Sequence, residues 1–463
     1  MRAVSRPVLF ARPFRRPLAT CLQPLMTYWS CMARICVDGF NLALPRPTGI
    51  GNYARSLLHA LPGIGHEGEV LFAPELDRSG QAILDETAIF ALPKLGKLTS
   101  IERLRRETRT LNRAALCATA SPLEETGKVI WPGGTDGRPR AQQLWSCPHL
   151  FTDAKRIFQR LGKPVDVRFH DAKSPSVMHW TSPIAAKARR TPNIYTIHDL
   201  VPLKLPSSID NDKERFYSLC KSIARTADLI TTVSESSRKD IIDILQIEPS
   251  RVINTYQSSI YFSADLPSTD YVGREIESNF ELPYGGYFLH VGTIEPKKNL
   301  GRIIEAYLAS GVKPPLVIVK SRGWLEHDEL EQLEALRRSK VTANERVRIF
   351  EGLPPHRLAN LISGARGVIF PSLYEGFGLP VLEAMIFGVP VLTSHCGALA
   401  EIAGGAAITV DPYDTVALAT GIRQLDADQD LRYALRLKGF ERAQFFSPEN
   451  YQSRLARLYR NVL

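Results

Sequence analysis

Short apolar runs of strand length alternate with amphipathic stretches of helix length along most of the 463-residue chain. Residues 34–40 (RICVDGF) are predicted to form the first strand, and residues 52–61 (NYARSLLHAL) carry apolar positions at helical spacing. Such alternation is typical of α/β proteins with parallel sheets. Ligands of these sheets bind beyond the carboxyl ends of the strands, so we expect the chemistry in the loops that follow them.

The alternation comes in two series, separated by polar residues around Pro267. The first series fades between residues 119 and 175, where Gly, Pro and polar residues predict an irregular surface insertion. The chain is too long for one hydrophobic core, so two doubly wound, Rossmann-like domains facing a cleft are predicted. The predicted segments are a basic, disordered extension (1–32), a first domain (33–267), a second domain (268–447) and a C-terminal helix that packs back on the first domain (448–463).

The composition, with 44% hydrophobic and 23% charged residues, indicates a globular protein. No apolar run approaches the ~20 residues that cross a bilayer. Half of the net charge of +10 lies in residues 1–31, which hold five arginines and no acid. Prolines in this leader argue against a signal peptide; an organellar transit peptide stays open beside an unfolded extension. The remaining charge suits an anionic partner, either a phosphate-bearing substrate or a membrane surface, and no nucleic-acid motif accompanies it.

Neither the cysteines nor the paired aspartates predict a metal site. The seven cysteines are scattered and include no C-x-x-C pair, which indicates a reducing, cytoplasmic compartment without a disulfide framework. Two D-x-D matches, at 210–212 and 426–428, each precede a helical pattern, where aspartates favour the first turn. We therefore predict that the protein works without a metal ion.

The stretch YEGFGLPVLEAM, residues 374–385, is the strongest candidate site. It follows a buried-strand run and continues into a helix, so its loop lies at the ligand-bearing end of a sheet. Gly376 and Gly378 are predicted to adopt positive φ and to approach a ligand closely. The backbone N–H groups of Phe377, Gly378 and Leu379 would then bind an anion at the helix N-terminus.

Two carboxylates, eight residues apart, flank this turn. Glu383, one turn into the helix, is predicted to accept two hydrogen bonds from a ribose, like the acidic residue of dinucleotide sites. Glu375, on the loop, is predicted to reach the group attached beyond the phosphates. The simpler alternative is that Glu375 is a solvated loop charge and that Glu383 complements the helix dipole.

Four motifs follow one another along the chain: TGIGNY (48–53), TIHD (196–199), VGTIEPKKN (291–299) and FPSLYEGFGLPVLEAM (370–385). Together they resemble the retaining GT-B glycosyltransferases of family 4, and TGIGNY is similar to the opening loop of bacterial mannosyltransferase-type members. The likeness runs from about Arg34 to the C-terminus and is weak in the predicted insertion. It implies a GT-B fold with an acceptor-side first domain and a second domain that binds a nucleotide sugar.

The resemblance also implies roles for the matching residues. Glu375 would contact the donor sugar near the reacting carbon, and Glu383 would bind the ribose. Lys297 and Lys298 would hold the donor diphosphate, although the family usually has Arg-Lys, and lysine lacks the bidentate fork of arginine. His198 would hydrogen-bond and orient the donor sugar; a lone histidine after a strand is more often structural.

The remaining implied positions lie on the first domain. Gly49 and Gly51 would bring backbone N–H groups toward the diphosphate and the acceptor, and Tyr53 and Asp199 would lie on the acceptor side. The same glycines also fit the dinucleotide pattern G-x-G-x-x-A, with Glu75 as the ribose acid. That pattern needs its first glycine at the strand end, and residues 41–48 intervene, so a nicotinamide enzyme is disfavoured.

The implied activity is retaining, metal-independent transfer of a hexose in polysaccharide or cell-surface glycan synthesis. Mannose from GDP-mannose is favoured as the donor group, a glycan or a polyprenyl-diphosphate-linked glycan is the expected acceptor, and no cofactor is expected. The protein is expected in the cytoplasm, at the inner face of the cell membrane if it contacts lipid. A non-catalytic GT-B scaffold that binds nucleotide sugar or glycan and a sugar-nucleotide epimerase remain as alternatives.

A basic helix is predicted at 101–113. It is either a solvated surface helix or a peripheral contact with anionic lipid. Its arginines are Arg103, Arg105, Arg106, Arg109 and Arg113.

Overall fold

The computed structural model describes most of the chain beyond the N-terminal extension. The described residues are 32–44, 48–91, 99–131, 138–170, 174–206, 212–263, 268–321 and 346–463. Both sheets belong to one compact unit, Met32–Leu463. The predicted extension up to residue 31, the linker at Pro267 and most of the first D-x-D match lie outside the described residues.

The first lobe is built on a mostly parallel sheet. Within the described residues its strands run in the order β10–β9–β8–β6–β1–β2–β4–β3–β5–β7, and β3 pairs with β4 in the antiparallel direction. The central strands are almost wholly buried, as expected for a parallel sheet. The strands are β1 (Arg34–Asp38), β2 (Glu67–Phe72), β3 (Ala118–Leu123), β4 (Gln143–Ser146), β5 (Val165–Phe169), β6 (Val177–Trp180), β7 (Ala186–Ala188), β8 (Asn193–Thr196), β9 (Leu229–Thr232) and β10 (Val252–Asn254).

Four of the described helices of the first lobe begin at side-chain caps. Thr48 Oγ1 accepts the Gly51 N–H at 2.9 Å at the start of the first helix, and Ser234 Oγ accepts the Ser237 N–H at 3.0 Å at the start of the seventh. The helices are α1 (Gly49–Ala60), α2 (Ala82–Thr87), α3 (Ser100–Ala115), α4 (Leu150–Leu161), α5 (Val201–Lys204), α6 (Lys213–Thr226) and α7 (Glu235–Leu245).

The second lobe contains a sheet in the order β13–β12–β11–β14–β15–β16, with every described pairing parallel. Two α/β lobes on parallel sheets confirm the predicted fold class. The strands are β11 (Phe288–Thr293), β12 (Leu316–Ser321), β13 (Val347–Glu351), β14 (Gly367–Phe370), β15 (Val391–Ser394) and β16 (Ile408–Val410). The helices are α8 (Thr269–Phe280), α9 (Leu300–Ser310), α10 (Pro355–Ser363), α11 (Leu379–Ile386), α12 (Gly397–Ala403), α13 (Thr415–Ala427), α14 (Gln429–Gln444) and α15 (Pro448–Arg460).

The prediction of an irregular insertion at 119–175 is wrong. Most of β3 and all of β4, α4 and β5 fall in this range, and β4 extends the first sheet by pairing with β2. Strand β3 carries little strand signal because it buries small residues and includes Pro122. Helix α4, in contrast, has readable helical spacing, since its buried apolar residues are Leu150, Ala154, Ile157 and Phe158.

The last helix, α15, contacts the centre of the first sheet. The Tyr459 hydroxyl lies 2.8 Å from His179 Nδ1 on β6, and His179 Nε2 lies 2.9 Å from Thr196 Oγ1 on β8. Burial lowers the pKa of His179 to about 3, so the imidazole is neutral and serves as a hydrogen-bonded link. The C-terminus of the second lobe is thus joined to β8, the strand that leads to His198.

Candidate active site

The lysine and glutamate motifs meet at the carboxyl edge of the second sheet. Strands β11 and β14 are neighbours there, and the strand order reverses between them. Such switch points form the crevices in which open parallel sheets bind ligands. The loop after β11 carries Lys297 and Lys298, and the loop after β14 carries Glu375.

An ion pair joins the two loops. Lys298 Nζ lies 2.6 Å from Glu375 Oε1, and both side chains are mostly buried. The backbone N–H of Leu373 donates to the Lys297 carbonyl at 2.7 Å, and Asn299, with φ of 62°, turns the chain after the lysines. The two loops, whose paired residues Lys298 and Glu375 are 77 positions apart in sequence, are therefore held together by both main-chain and side-chain contacts.

The charges in this site stabilise one another. Burial alone would raise the pKa of Glu375, but Lys298 and Lys297 hold that pKa below its ordinary value, so the carboxylate is ionised. Burial alone would lower the pKa of Lys297, and the neighbouring carboxylates, Glu375 foremost, raise it above its ordinary value. Charges kept in a mostly buried site act more strongly on a ligand than charges in water.

The N-terminus of α11 lies at the end of the same loop. Gly378 begins the helix with φ of 108°, which confirms the predicted positive φ. The backbone N–H groups of Phe377, Gly378 and Leu379 have no acceptor within the described ranges, as a helix N-terminus that binds an anion requires. The Phe377 side chain is 4% exposed and packs edge-on against Phe446, with ring centroids 5.5 Å apart, so it anchors the turn.

Gly376 differs from the prediction, because its φ is not positive. What it supplies is space: a Cβ there would lie 2.7 Å from the His198 carbonyl oxygen and 2.9 Å from Asp199 Oδ2. His198 and Asp199 belong to the loop after β8 in the first lobe. The missing side chain therefore lets the two lobes touch beside Glu375.

The N-terminus of α7 holds the second lobe at the same point. Ser234 Oγ and Ser237 Oγ donate to the Gly376 carbonyl at 2.7 and 3.2 Å. Glu401, on α12, accepts the first two backbone N–H groups of α7 at 2.8 and 3.0 Å, where the helix dipole favours a carboxylate. These residues could not be predicted from the sequence, because lone serines and a single glutamate carry no recognisable motif.

His198 and Asp199 lie at the contact between the lobes. His198 Nε2 donates to the Thr181 carbonyl at 2.9 Å, and the Tyr53 ring meets the imidazole edge-on with centroids 4.8 Å apart. Burial lowers the pKa of His198, so the ring is neutral near pH 7 and Nδ1 is a hydrogen-bond acceptor. Asp199 Oδ1 accepts a backbone N–H two residues further on at 3.0 Å, and Oδ2 lies beside Gly376.

The start of α1 differs in part from the prediction. Gly49 is exposed, and a Cβ at this position would meet open space. The N–H of Gly51, however, already donates to Thr48 as part of the helix cap. Tyr53 is 1% exposed and its hydroxyl lies 3.0 Å from Thr196 Oγ1. The Gly51 amide is thus used in the helix cap. The Tyr53 side chain is packed beneath α1 and supports His198, whereas the resemblance implied that it faces the acceptor.

Glu383 lies further along α11, apart from the ion pair, and is half-buried. Burial raises its pKa to about 8, and a hydrogen bond from Ser259 opposes the shift. The carboxyl group is therefore mainly protonated at neutral pH. Ser259 belongs to the segment between β10 and α8, so Glu383 faces the connection between the lobes.

The aspartates of the D-x-D matches have helix-end or ion-pair roles where they are described. Asp212 and Asp428 accept backbone N–H groups at the starts of α6 and α14, at 3.1 and 2.8 Å. Asp426 pairs with Arg366 Nη1 at 2.7 Å. Within the described residues, no three His, Cys, Asp or Glu side chains come together as metal ligands. Metal independence stays a prediction.

Family models match both lobes. The model for glycosyl transferases group 1 matches residues 276–442, and the model for glycosyltransferase family 4 matches residues 47–255. The O-antigen chain mannosyltransferase B of Escherichia coli is 33% identical over 279 residues, which are 58% of this chain and 70% of that protein. The chain belongs to glycosyltransferase family 4. The resemblance stated from the four motifs is confirmed.

Solved structures show the fold of this glycosyltransferase. Sucrose-phosphate synthase from Thermosynechococcus elongatus superposes with a TM-score of 0.62 at 18% identity, over 92% of this chain and 98% of that one. Anabaena HepE in complex with UDP and glucose superposes with a TM-score of 0.60 at 14% identity, over 92% of this chain and 99% of that one. The predicted GT-B fold is therefore confirmed.

Gly376→Ala is expected to lower turnover at least about 100-fold, because a displacement of roughly 1 Å at reacting groups has that effect. The added methyl group would collide with the main-chain oxygen of His198, which cannot move aside by changing rotamer. The thermal midpoint is expected to fall as well. Gly273→Ala, within α8, is the control, since the nearest atom to its Cβ would be 3.8 Å away. Wild-type turnover in Gly376→Ala would contradict the lobe contact.

Proposed function

We propose that this glycosyltransferase moves a hexose from a nucleoside-diphosphate sugar to a glycan or lipid-linked glycan, with retention at the anomeric carbon and without a metal ion. The observation that carries the proposal is the buried Lys298–Glu375 pair at the α11 N-terminus, on a loop that touches His198. Mannose is the favoured sugar and GDP the favoured leaving group, because TGIGNY resembles mannosyltransferase loops and the E. coli relative is named a mannosyltransferase.

In the proposed reaction, the bond between the anomeric carbon and the diphosphate oxygen breaks and leaves an oxocarbenium-like sugar. Lys298, Lys297 and the N–H groups at the start of α11 stabilise the negative charge on the departing diphosphate. A leaving phosphate oxygen takes the proton of the acceptor hydroxyl, whose oxygen bonds to the carbon on the same face. Glu375 positions the sugar and stabilises its positive charge, and His198 Nδ1 accepts a sugar hydroxyl.

Two alternatives use the same geometry. A non-catalytic scaffold would bind nucleotide sugar or glycan without cleaving the donor, and an epimerase would return it isomerised. The ionised Glu375 beside the two lysines favours the transferase, because a scaffold that only binds the diphosphate needs no carboxylate to face positive charge on the sugar. Measuring nucleoside diphosphate release from GDP-, UDP- and ADP-sugars over hours separates the transferase from both alternatives, since only transfer or hydrolysis releases it. Analysis of the recovered donor then separates the epimerase, which isomerises the sugar, from the scaffold, which leaves it unchanged.

Glu375→Gln is expected to reduce nucleoside diphosphate release at least about 100-fold, because the carboxylate no longer positions the sugar or stabilises its charge. Affinity for the free nucleoside diphosphate should persist or increase, because the charged carboxylate of Glu375 no longer competes with the diphosphate for Lys298. Calorimetric titration measures this affinity. Lys298→Met provides the contrast, as it should weaken nucleotide binding as well as turnover. Unchanged turnover in Glu375→Gln would remove Glu375 from the reaction.

The pKa of about 8 for Glu383 predicts pH-dependent nucleotide binding. A ribose that donates two hydrogen bonds requires the charged carboxylate, so the wild-type affinity should rise with pH up to about 8, at most about tenfold per pH unit. Glu383→Gln removes this titration. At each pH, the dissociation constant of the variant is divided by that of the wild type, because the titration of the nucleotide itself affects both equally and cancels in the ratio. A ratio that stays constant from pH 6 to 9 would mean that Glu383 binds no ribose as an anion.

The basic helix α3 presents fewer charges than its sequence indicates. Arg109 and Arg113 pair with the buried Asp153 at 2.8 and 2.7 Å, while Arg103 and Arg105 are exposed. Leu104 and Leu111, seven residues apart on one helix face, are exposed to about two thirds. None of the described helices is both long and apolar enough to span a bilayer. We propose that this face rests on anionic lipid at the inner face of the cell membrane.

Arg103→Glu/Arg105→Glu is expected to weaken sedimentation with vesicles containing an anionic phospholipid at least about tenfold, since each basic side chain contributes on the order of 1 kcal/mol there. Arg423→Glu/Lys438→Glu makes the same change in net charge on exposed residues of α13 and α14 and should leave sedimentation unchanged. Absence of vesicle binding by the wild-type protein would end this proposal.

A further inference from the structure

The first lobe contains a cavity of about 760 Å³ that is lined by none of the site residues implied by the family resemblance. Its walls come from the segments after β1, β2 and β6 and from helices α4 and α6. The strand order of the first sheet reverses between β6 and β1, so the cavity lies at the switch point of that sheet. Its volume is typical of sites for small molecules.

The lining is mainly apolar and rich in aromatic rings, and its polar side chains are few. Among the polar wall residues, Glu75 contacts His149 and Thr152, and Asp212 pairs with Arg215 at 2.9 Å. A saccharide in this place would need many more unpaired donors and acceptors, whereas an apolar chain needs none. The phenylalanines of the wall are Phe40, Phe72, Phe90, Phe151, Phe158 and Phe216.

The cavity adjoins the reaction site through two neighbouring residues. Thr181, whose carbonyl accepts from His198, precedes Ser182 of the cavity wall. Asp38, which accepts from the Thr181 hydroxyl at 2.8 Å, precedes Gly39 of the wall. Consecutive Cα atoms are about 3.8 Å apart, so the wall begins next to the group that orients His198.

The edge of the cavity carries a cation. Lys155, on α4, is exposed and has no ion-pair partner within the described residues. Helix α4 also holds α3 through Asp153, so the cavity lies beside the helix that is proposed to contact lipid. An apolar chain that ends in an anionic group complements this arrangement.

We propose that the cavity binds the isoprenoid chain of a lipid diphosphate acceptor. The inference rests on the proposed transfer reaction and adds the part of the acceptor that is recognised.

The test measures binding of farnesyl diphosphate, a 15-carbon isoprenoid diphosphate, to the full-length protein by calorimetry. Phe40→Asp and Leu44→Asp place a carboxylate on the wall and are expected to weaken binding at least about tenfold, because an apolar chain cannot solvate the charge. Both residues are nearly half exposed, at 45% and 41%, so the core should tolerate the changes. Leu161→Asp, on α4 but outside the wall and 57% exposed, is the control and should bind normally.

Inorganic diphosphate serves as the competitor that separates the chain from its headgroup. The proposal requires that excess diphosphate leaves farnesyl diphosphate bound. No binding by the wild type, equal binding by all variants, or displacement by diphosphate would each overturn it. Release of nucleoside diphosphate from donor alone tests the proposed function separately, because hydrolysis to water does not use the cavity.

Discussion

The site depends on a contact at which the main chains of the two lobes touch. Gly376 lies against the main chain of His198, and its carbonyl accepts from the serines at the start of α7. Backbone groups cannot relieve a collision by changing rotamer, so this contact fixes the distance between the lobes. Glu375 is the preceding residue, and its position relative to His198 is therefore set by covalent geometry as much as by side-chain packing.

The second constraint is electrostatic. Buried ammonium groups without counter-charges cost several kcal/mol each, and Glu375 supplies the counter-charge for Lys298. In the proposed reaction a donor diphosphate would take over that role. Its arrival would release Glu375 from Lys298 and leave the carboxylate free to face the positive charge that develops on the sugar. The pair is thus consistent both with a stable folded protein and with transfer chemistry.

The sequence predicted what local patterns encode and missed what depends on packing between distant segments. The two-lobe α/β fold follows from the alternation of strand and helix patterns, and the placing of Lys298 and Glu375 around one donor follows from the family resemblance, whereas their direct ion pair appears only in the structure. The environment of Tyr53 could not be predicted, because helix α1 rotates that residue inward and only the packed structure shows its neighbours. Glu401 carries no motif, since its role comes from docking on α7 in the other lobe.

The two sheets offer chemically different crevices at their switch points. In the second lobe the crevice is lined by lysines and backbone N–H groups, which suit a diphosphate; in the first lobe it is lined by phenylalanine rings, which suit an apolar chain. The Thr181–His198 hydrogen bond joins the first crevice to the lobe contact at Gly376. If each crevice holds the ligand that its chemistry favours, the donor's anomeric carbon and the acceptor's hydroxyl meet beside His198 and Glu375. The transfer reaction then takes place between an anion-binding site and an apolar site. The two bound ligands displace water from the space where their reacting groups meet.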